Sequence, residues 1–226
     1  MSLLSIASLQ KSFVSPDGDR KTIVDIPEFR LRAGQQRALR GESGSGKTTF
    51  LHLIAGILTA DRGSIQLGKE DMAELTEPAR DRLRATSIGY IFQTFNLLQG
   101  YTCLENVLLA MSFGPGVDRP RATAMLNRVG LGTRLHHYPR QLSTGQQQRV
   151  AVARAMANRP ILVLADEPTG NLDHKNARES LGLIRETCVE NASALLLVTH
   201  DTSVLSAFEE VQDFDELNLA AKETSP

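Results

Sequence analysis

No apolar run in this sequence is long enough to cross a bilayer. The longest, residues 161–165 and 192–198, fall far short of the ~20 residues that a spanning helix needs. Any role at a membrane must therefore pass through a partner. The opening Met1-Ser2-Leu3-Leu4-Ser5-Ile6 lacks the basic start and extended apolar core of a secretory signal. Cysteine is scarce. Cys103 and Cys188 stand far apart without C-x-x-C spacing, which excludes a disulfide or cysteine–metal framework and reads as two buried thiols in a reducing compartment. Excess charge is missing too: a formal net charge of −1 leaves no global basic field for nucleic acid. What remains is an ordinary globular composition, and 226 residues suit one domain or a core with an inserted lobe.

The strongest local signal is Gly41-Glu42-Ser43-Gly44-Ser45-Gly46-Lys47-Thr48, which fits the phosphate-binding pattern G-x-x-x-x-G-K-[ST]. A triphosphate crowds several negative charges together. Gly41, Gly44 and Gly46 let the backbone wrap closely round it and turn N–H groups inward. The run 48–58 reads as a helix whose N-terminal dipole faces the phosphates. Lys47 supplies a compact positive charge, and Thr48 a hydroxyl for Mg²⁺.

Residues 4–31 alternate loosely between apolar and polar, with Ser15-Pro16-Asp17-Gly18 as a tight turn, which predicts antiparallel strands. Phe13 stacks on a nucleotide base or packs in the core; the pattern does not decide. Gln36-Arg37-Ala38-Leu39-Arg40 is the strand feeding the loop, yet it is far more polar than a buried parallel strand should be. Nothing in the sequence accounts for its arginines. Arg62-Gly63 begins a turn before a strand at 64–67, and Thr76 caps a helix at 79–85 with Pro78 in its first turn. The apolar run 88–92 ends at Gln93, a side chain at the rim of an α/β site or simply one facing water.

From 94 to 158 the pattern is helical. Leu104, Val107, Leu108 and Met111, then Ala122, Met125, Leu126 and Val129, follow helical spacing on either side of Gly114-Pro115-Gly116. His136 and His137 are adjacent, point apart and lack acidic or cysteine neighbours, so they read as surface residues. Leu142-Ser143-Thr144-Gly145-Gln146 opens another helix with a capped, anion-competent N-terminus. Residues 161–165 form a fully buried strand that delivers Asp166 and Glu167 to the edge where α/β sites are built. Asp166 is placed to hold Mg²⁺, and Glu167 to take a proton from an attacking water. A polar turn through Asp173 leads to a helix with Ala177, Leu181, Ile184 and Cys188 on one face. The strand 194–199 brings His200 to the same edge. The acidic tail from Phe208 reads as a solvated face with disordered final residues. These elements imply an α/β fold: a P-loop NTPase core with a mostly parallel sheet (residues 1–93 and 159–226), an N-terminal antiparallel β subdomain and an inserted helical lobe (94–158).

The order of phosphate loop, Gln93, Leu142-Ser143-Thr144-Gly145-Gln146, Ala165-Asp166-Glu167-Pro168, Asp173 and His200 resembles the ATP-binding subunit of ABC transporters over nearly the whole chain. The segments Phe92-Gln93-Thr94-Phe95-Asn96-Leu97-Leu98 and 165–173 resemble one branch, the lipoprotein-releasing, macrolide-exporting and cell-division ATPases. The resemblance implies a cytoplasmic, membrane-peripheral subunit that binds ATP and Mg²⁺. It also implies a transmembrane permease partner and a head-to-tail homodimer with two ATP molecules at its interface. Gly41, Glu42, Ser43, Gly44, Ser45, Gly46, Lys47, Thr48 and Thr49 would hold the phosphates of one ATP, with Phe13 on its adenine. Ser143, Thr144, Gly145 and Gln146 would close over the ATP of the other subunit. Thr48, Asp166 and Gln93 would serve Mg²⁺, Glu167 would be the general base, His200 would meet the γ-phosphate, and Asp173 would couple the two sites. The lobe and the segment after Gln93 would form a groove for a helix of the membrane subunit. Four departures stand out: Thr144 for the commoner Gly, Phe13 for Tyr, Arg40 for an apolar residue, and no Asp-Arg or Asp-Gly pair after His200. Two other functions fit the same resemblance: an ATP-driven switch for a membrane partner that transports nothing, and a soluble ABC ATPase of DNA repair or translation. The single unit and the lack of a basic stretch weigh against the latter.

Overall fold

The computed structural model describes residues 2–220. Strands β1 (Ser2–Val14) and β2 (Arg20–Arg32) form the expected antiparallel pair. Their turn closes through Gly18 N–H donating to Ser15 C=O at 3.0 Å, with Gly18 at φ 90°. β4 (Arg62–Leu67) and β5 (Glu70–Asp71) complete a sheet of order β2-β1-β4-β5. Arg62 and Gly63 therefore lie in a strand, not in the expected turn. The glycine is needed because β1 carries a bulge at Ser8 (φ 49°). Gly63 sits at φ 89°, and a Cβ there would come within 2.3 Å of the Ser8 carbonyl oxygen. One extra residue at the bulge also shifts the buried positions of β1 from Leu4 and Ile6 to Leu9.

The second sheet is parallel throughout, in the order β6 (Ile88–Ile91), β7 (Leu162–Asp166), β8 (Ala194–Thr199), β3 (Gln36–Arg40), β9 (Val211–Asp213). Two of its inner strands, β7 from Leu162 to Ala165 and β8 from Ala194 to Val198, are apolar at every position because both faces are covered. Leu162, Leu164, Ala194, Leu196 and Val198 pack toward the antiparallel sheet and α1 (Lys47–Ile54). Val163, Ala165, Leu195 and Leu197 pack toward α5 (Thr144–Ala155) and α6 (His174–Glu190). A two-residue period thus sorts one strand between two cores. Ile161, expected in β7, lies just outside it and is exposed.

α2 (Glu77–Ser87) starts after Thr76, but the Thr76 side chain makes no cap bond; Pro78 in the first turn sets the helix direction. In the helical region, α3 (Cys103–Ser112) opens with a reciprocal Thr102–Glu105 capping box and α4 (Arg119–Arg128) with Asp118. Leu104, Val107, Met111, Ala122, Met125, Leu126 and Val129 all enter one core. Short 3₁₀ turns at Gly132–Arg134 and Pro139–Gln141 separate α4 from α5. His137 there shares a 2.7 Å contact with Arg134. Both cysteines are free and buried, and burial pushes the Cys188 thiol up to about 12.

The polar strand β3 finds its explanation in the acidic tail. Between β8 and the end of the described residues lie α7 (Thr202–Leu205), β9 and α8 (Phe214–Leu217). β9 pairs beside β3, so the arginines reach the carboxylates of Glu210, just before β9, and Asp213, at its end. Arg37 donates to Glu210 at 2.9 and 3.2 Å and lies 5.5 Å from the Phe29 ring. Arg40 donates to Asp213. The tail is thus not merely a solvated face; its expected disordered residues lie outside those described.

Arg37 holds the Glu210 carboxyl below its usual value, and Arg40 does the same for Asp213. A depressed folded value means that this stabilisation is complete above the ordinary carboxylate range of about 4 and is lost as pH falls through the folded values. A Glu210→Gln/Asp213→Asn double variant should therefore lose less of its urea midpoint than the parent between about pH 5 and pH 2.5. Parallel losses in the two proteins would exclude the pairs as contributors.

Candidate active site

β3 ends at Arg40 and the chain turns at once into the glycine loop, which closes on α1. Gly46 is the N-cap of α1 at φ 101°, and a Cβ there would lie 2.8 Å from the Ile23 carbonyl oxygen. Only glycine meets both conditions. Lys47 is 6% exposed. Its Nζ donates to the carbonyls of Gly41 (2.7 Å) and Glu42 (2.5 Å). Burial holds this ammonium below the usual lysine value, while Glu167 and Asp166 pull the other way. Thr48 is exposed and Thr49 half-buried, both in the first turn of α1. The Ser45 hydroxyl is buried and has no partner among the described residues. The loop thus carries inward-facing donor capacity suited to phosphate oxygens.

At the end of β7, Asp166 is 7% exposed. Burial pushes its carboxyl above the ordinary aspartate value, opposed first by the neighbouring Thr48 hydroxyl. A hydroxyl and a buried carboxylate are hard oxygen donors. Among the described residues no cluster of three or more His, Cys, Asp or Glu could hold a metal by itself. Two protein donors fit Mg²⁺, which keeps waters and substrate phosphates as its other ligands.

Glu167 follows at φ 42°, a left-handed conformation that is uncommon for a long side chain. Three donors meet its carboxylate, which leaves one acceptor site on Oε2 free. Oε2 accepts from Thr199 Oγ1 at 2.7 Å. Oε1 accepts from His200 N–H at 3.1 Å and from His200 Nδ1 at 2.7 Å. Asp201 N–H donates to the same Thr199 hydroxyl at 3.0 Å, so the single hydroxyl proton is committed to Glu167. The Nδ1 donor leaves Nε2 as the acceptor of a neutral His200 ring.

Gln93 stands exposed beyond β6. Its backbone carbonyl accepts from Asn171 Nδ2 at 2.7 Å, and its amide group lies 3.3 Å from where a Gly170 Cβ would be. The segment after Gln93 is therefore laced to the turn after Glu167. Beyond it, Phe95 and Asn96 both have positive φ. Their carbonyls accept from the guanidinium of Arg154 on α5.

The Ser143–Gln146 segment carries the expected cap in reciprocal form, with Ser143 Oγ accepting from Gln146 N–H and Gln146 Oε1 from Ser143 N–H. No hydrogen bond joins Ser143, Thr144, Gly145 or Gln146 to the glycine loop among the described residues. Asp173 caps α6 through Asn176 N–H at 2.9 Å and also holds the Asn176 amide at 2.6 Å. That amide abuts Gly145, 3.0 Å from where its Cβ would be. Phe13 is 42% exposed, which removes the alternative of a core phenylalanine; Lys11 Nζ lies 5.6 Å from its ring.

Three further residues shape the site: Thr199, Arg154 and Asn218. Thr199 ends a strand already recognised by its apolar run, and its place beside His200 was the available signal. Asn218 donates to Ser45 C=O at 3.2 Å from 173 residues away. No local pattern announces a contact of that span.

A profile of the ABC transporter family matches residues 24–170. The chain is 44% identical to the lipoprotein-releasing system ATP-binding protein LolD of Pseudomonas syringae pv. tomato, over 89% of this chain and 90% of that one. It is 41% identical to LolD of Pseudomonas fluorescens over 97% of each. It is 40% identical to the macrolide export ATP-binding/permease protein MacB of Syntrophobacter fumaroxidans, over 90% of this chain but 29% of that longer one. The dimeric, post-hydrolysis structure of the ATP-binding cassette MJ0796 with ADP and Pi superposes with a TM-score of 0.84 at 31% identity, covering 93% of both chains. The chain therefore belongs to the ABC transporter family, as one of its ATP-binding domains.

Proposed function

We propose that this chain is the ATP-hydrolysing, energy-coupling subunit of an ABC transporter that drives export or extraction of a substrate through a separate membrane subunit. The observation that carries the reading is the Glu167 carboxylate, fixed by Thr199 and His200 at the sheet edge beside the Lys47 loop. Glu167 takes the proton of the attacking water. Lys47 exchanges its loop carbonyls for phosphate oxygens, and His200 meets the γ-phosphate through Nε2, which donates only when the ring carries both protons. Thr48 and Asp166, with Gln93 at the rim, would hold Mg²⁺, which would offset the charge that develops on the transferring phosphoryl group. Phe13 stacks on adenine from the exposed end of β1. Ser143, Thr144, Gly145 and Gln146 act on the ATP of a second copy, where the N–H groups of the first turn of α5 lack intrahelical acceptors. Asp173, through Asn176, sets the position of that turn.

The residues 94–158 serve as the helical lobe. A groove of about 510 Å³ between it and the core is lined by Ile57, Arg84, Tyr90, Phe92, Phe113 and Asn158. Phe113 is 68% exposed there, a large apolar side chain suited to a helix of the membrane subunit. Among the described residues no helix is long and apolar enough to cross a membrane, which suits a subunit held at the inner face of the cell membrane by its partner.

Copurification of the tagged chain from gently solubilised native membranes tests this reading. The expected result is an ATP-hydrolysing complex with a partner that has few spanning helices and a large extracytoplasmic domain. Recovery with ribosomes or nucleic acid, and with no membrane protein, would overturn it.

A further inference from the structure

We infer that residues 213–220 form a clasp that positions the phosphate loop, and that Asn218 sets the direction of the Ser45–Gly46 peptide. This deepens the proposed function and rests on reading the loop as the ATP site. The segment touches the loop at successive points. Asp213 binds Arg40, the residue before Gly41, and caps α8 through Asp215 N–H at 3.1 Å. Phe214 is fully buried, 5.6 Å from Phe50 on α1. Its Cβ lies 3.2 Å from where a Gly41 Cβ would be, so it walls the entrance of the loop.

Asn218 is 1% exposed. Its Nδ2 donates to Ile23 C=O at 2.9 Å and Ser45 C=O at 3.2 Å, while Oδ1 accepts from Asp25 N–H at 2.8 Å and Ala220 N–H at 3.4 Å. Both donors and both acceptor sites of the amide are used. No other side chain of this size supplies that set: aspartate lacks the donors and leucine lacks everything. The consequence for the loop follows from peptide geometry. In a planar trans peptide the C=O and N–H point opposite ways. Asn218 takes hold of the Ser45 carbonyl, and so the Gly46 N–H is turned to the side away from the clasp. The Ile23 carbonyl that forbids a Cβ on Gly46 is held by the same amide. One side chain therefore fixes β2, the loop and the start of α1 together, before any phosphate arrives. Such prior ordering favours binding because the loop has less freedom left to lose.

The test is steady-state ATP hydrolysis and equilibrium ATP binding by the wild-type chain, Asn218→Ala, Asn218→Ser and Leu126→Ala. Asn218→Ser keeps a small polar group with one donor and guards against misfolding of the alanine variant. Leu126→Ala removes a buried apolar contact of α4, outside both the clasp and the loop. Both Asn218 variants should raise KM for ATP by about 3- to 10-fold, the size expected for one lost hydrogen bond, with kcat within about twofold. Leu126→Ala should lower thermal stability and leave KM unchanged. Unchanged KM in the folded Asn218 variants, or an equal rise in Leu126→Ala, would overturn the clasp alone. Failure of the wild-type chain to bind ATP would overturn the ATPase reading and the clasp with it.

Discussion

Glu167→Gln lowers ATP turnover by about 10²–10⁴-fold, the usual contribution of a positioned general base, while ATP binding and melting temperature stay close to the parent. The argument is that glutamine has the same shape and occupies the same left-handed position, but it cannot accept a proton. Its remaining carbonyl oxygen still accepts from one of the two groups that fix Glu167, the Thr199 hydroxyl or the His200 backbone and ring. The fold thus loses little, and the chemistry loses its base. Phosphate release under saturating ATP gives the turnover, and nucleotide binding measured alongside separates chemistry from affinity. Turnover within a few-fold of the parent would move the base to another residue.

Phe50→Ala destabilises the protein by about 3–5 kcal/mol, the range for deleting a buried aromatic ring. For a domain of this size that lowers the melting temperature by roughly 6–20 °C. Phe50 is fully buried on α1. Its ring lies 5.5 Å edge-on from Phe29 of β2 and 5.6 Å from Phe214 of α8. The three rings join the antiparallel sheet, the helix after the loop and the end of the chain, and no single neighbour can collapse into the gap. Val189→Ala, at an exposed site on α6, is the control and should stay within about 0.5 kcal/mol. A shift for Phe50→Ala no larger than that of the control would show that the three-ring cluster is dispensable.

Phe50 also marks where sequence reading stops. The phosphate loop, the β7 run ending in two acids and the helical faces of α3, α4 and α6 are periodic or contiguous, so their residues announce one another locally. The partners of Arg37 and Arg40 do not: the pairing residues lie 173 positions away in a tail that reads by itself as solvated. Polar residues in a parallel strand looked inconsistent because the carboxylates that satisfy its arginines, Glu210 and Asp213, stand just before and at the end of an edge strand of only three residues, too few to show a pattern. The same holds for Asn218, whose surroundings carry no known motif. The bulge at Ser8 was hidden for another reason. Arg-Gly before an apolar run signals a turn as readily as a strand, and only the close approach of Gly63 to the Ser8 carbonyl separates the two. Site residues on strand ends were legible because topology delivers them to one edge; the bonds among them, such as Thr199 to Glu167, follow from register.

Arg154 gives the molecule a crank. Its half-buried guanidinium grips the carbonyls of Phe95 and Asn96 at one end of α5, and Ser143 caps the other end. The ten helical steps from Thr144 to Arg154 make a stiff rod of about 15 Å. A push on the turn beyond Gln93 is then delivered as a tilt of the far tip, with the rod as moment arm and no bending along its length. Severing the grip would leave both ends intact but let each swing by itself.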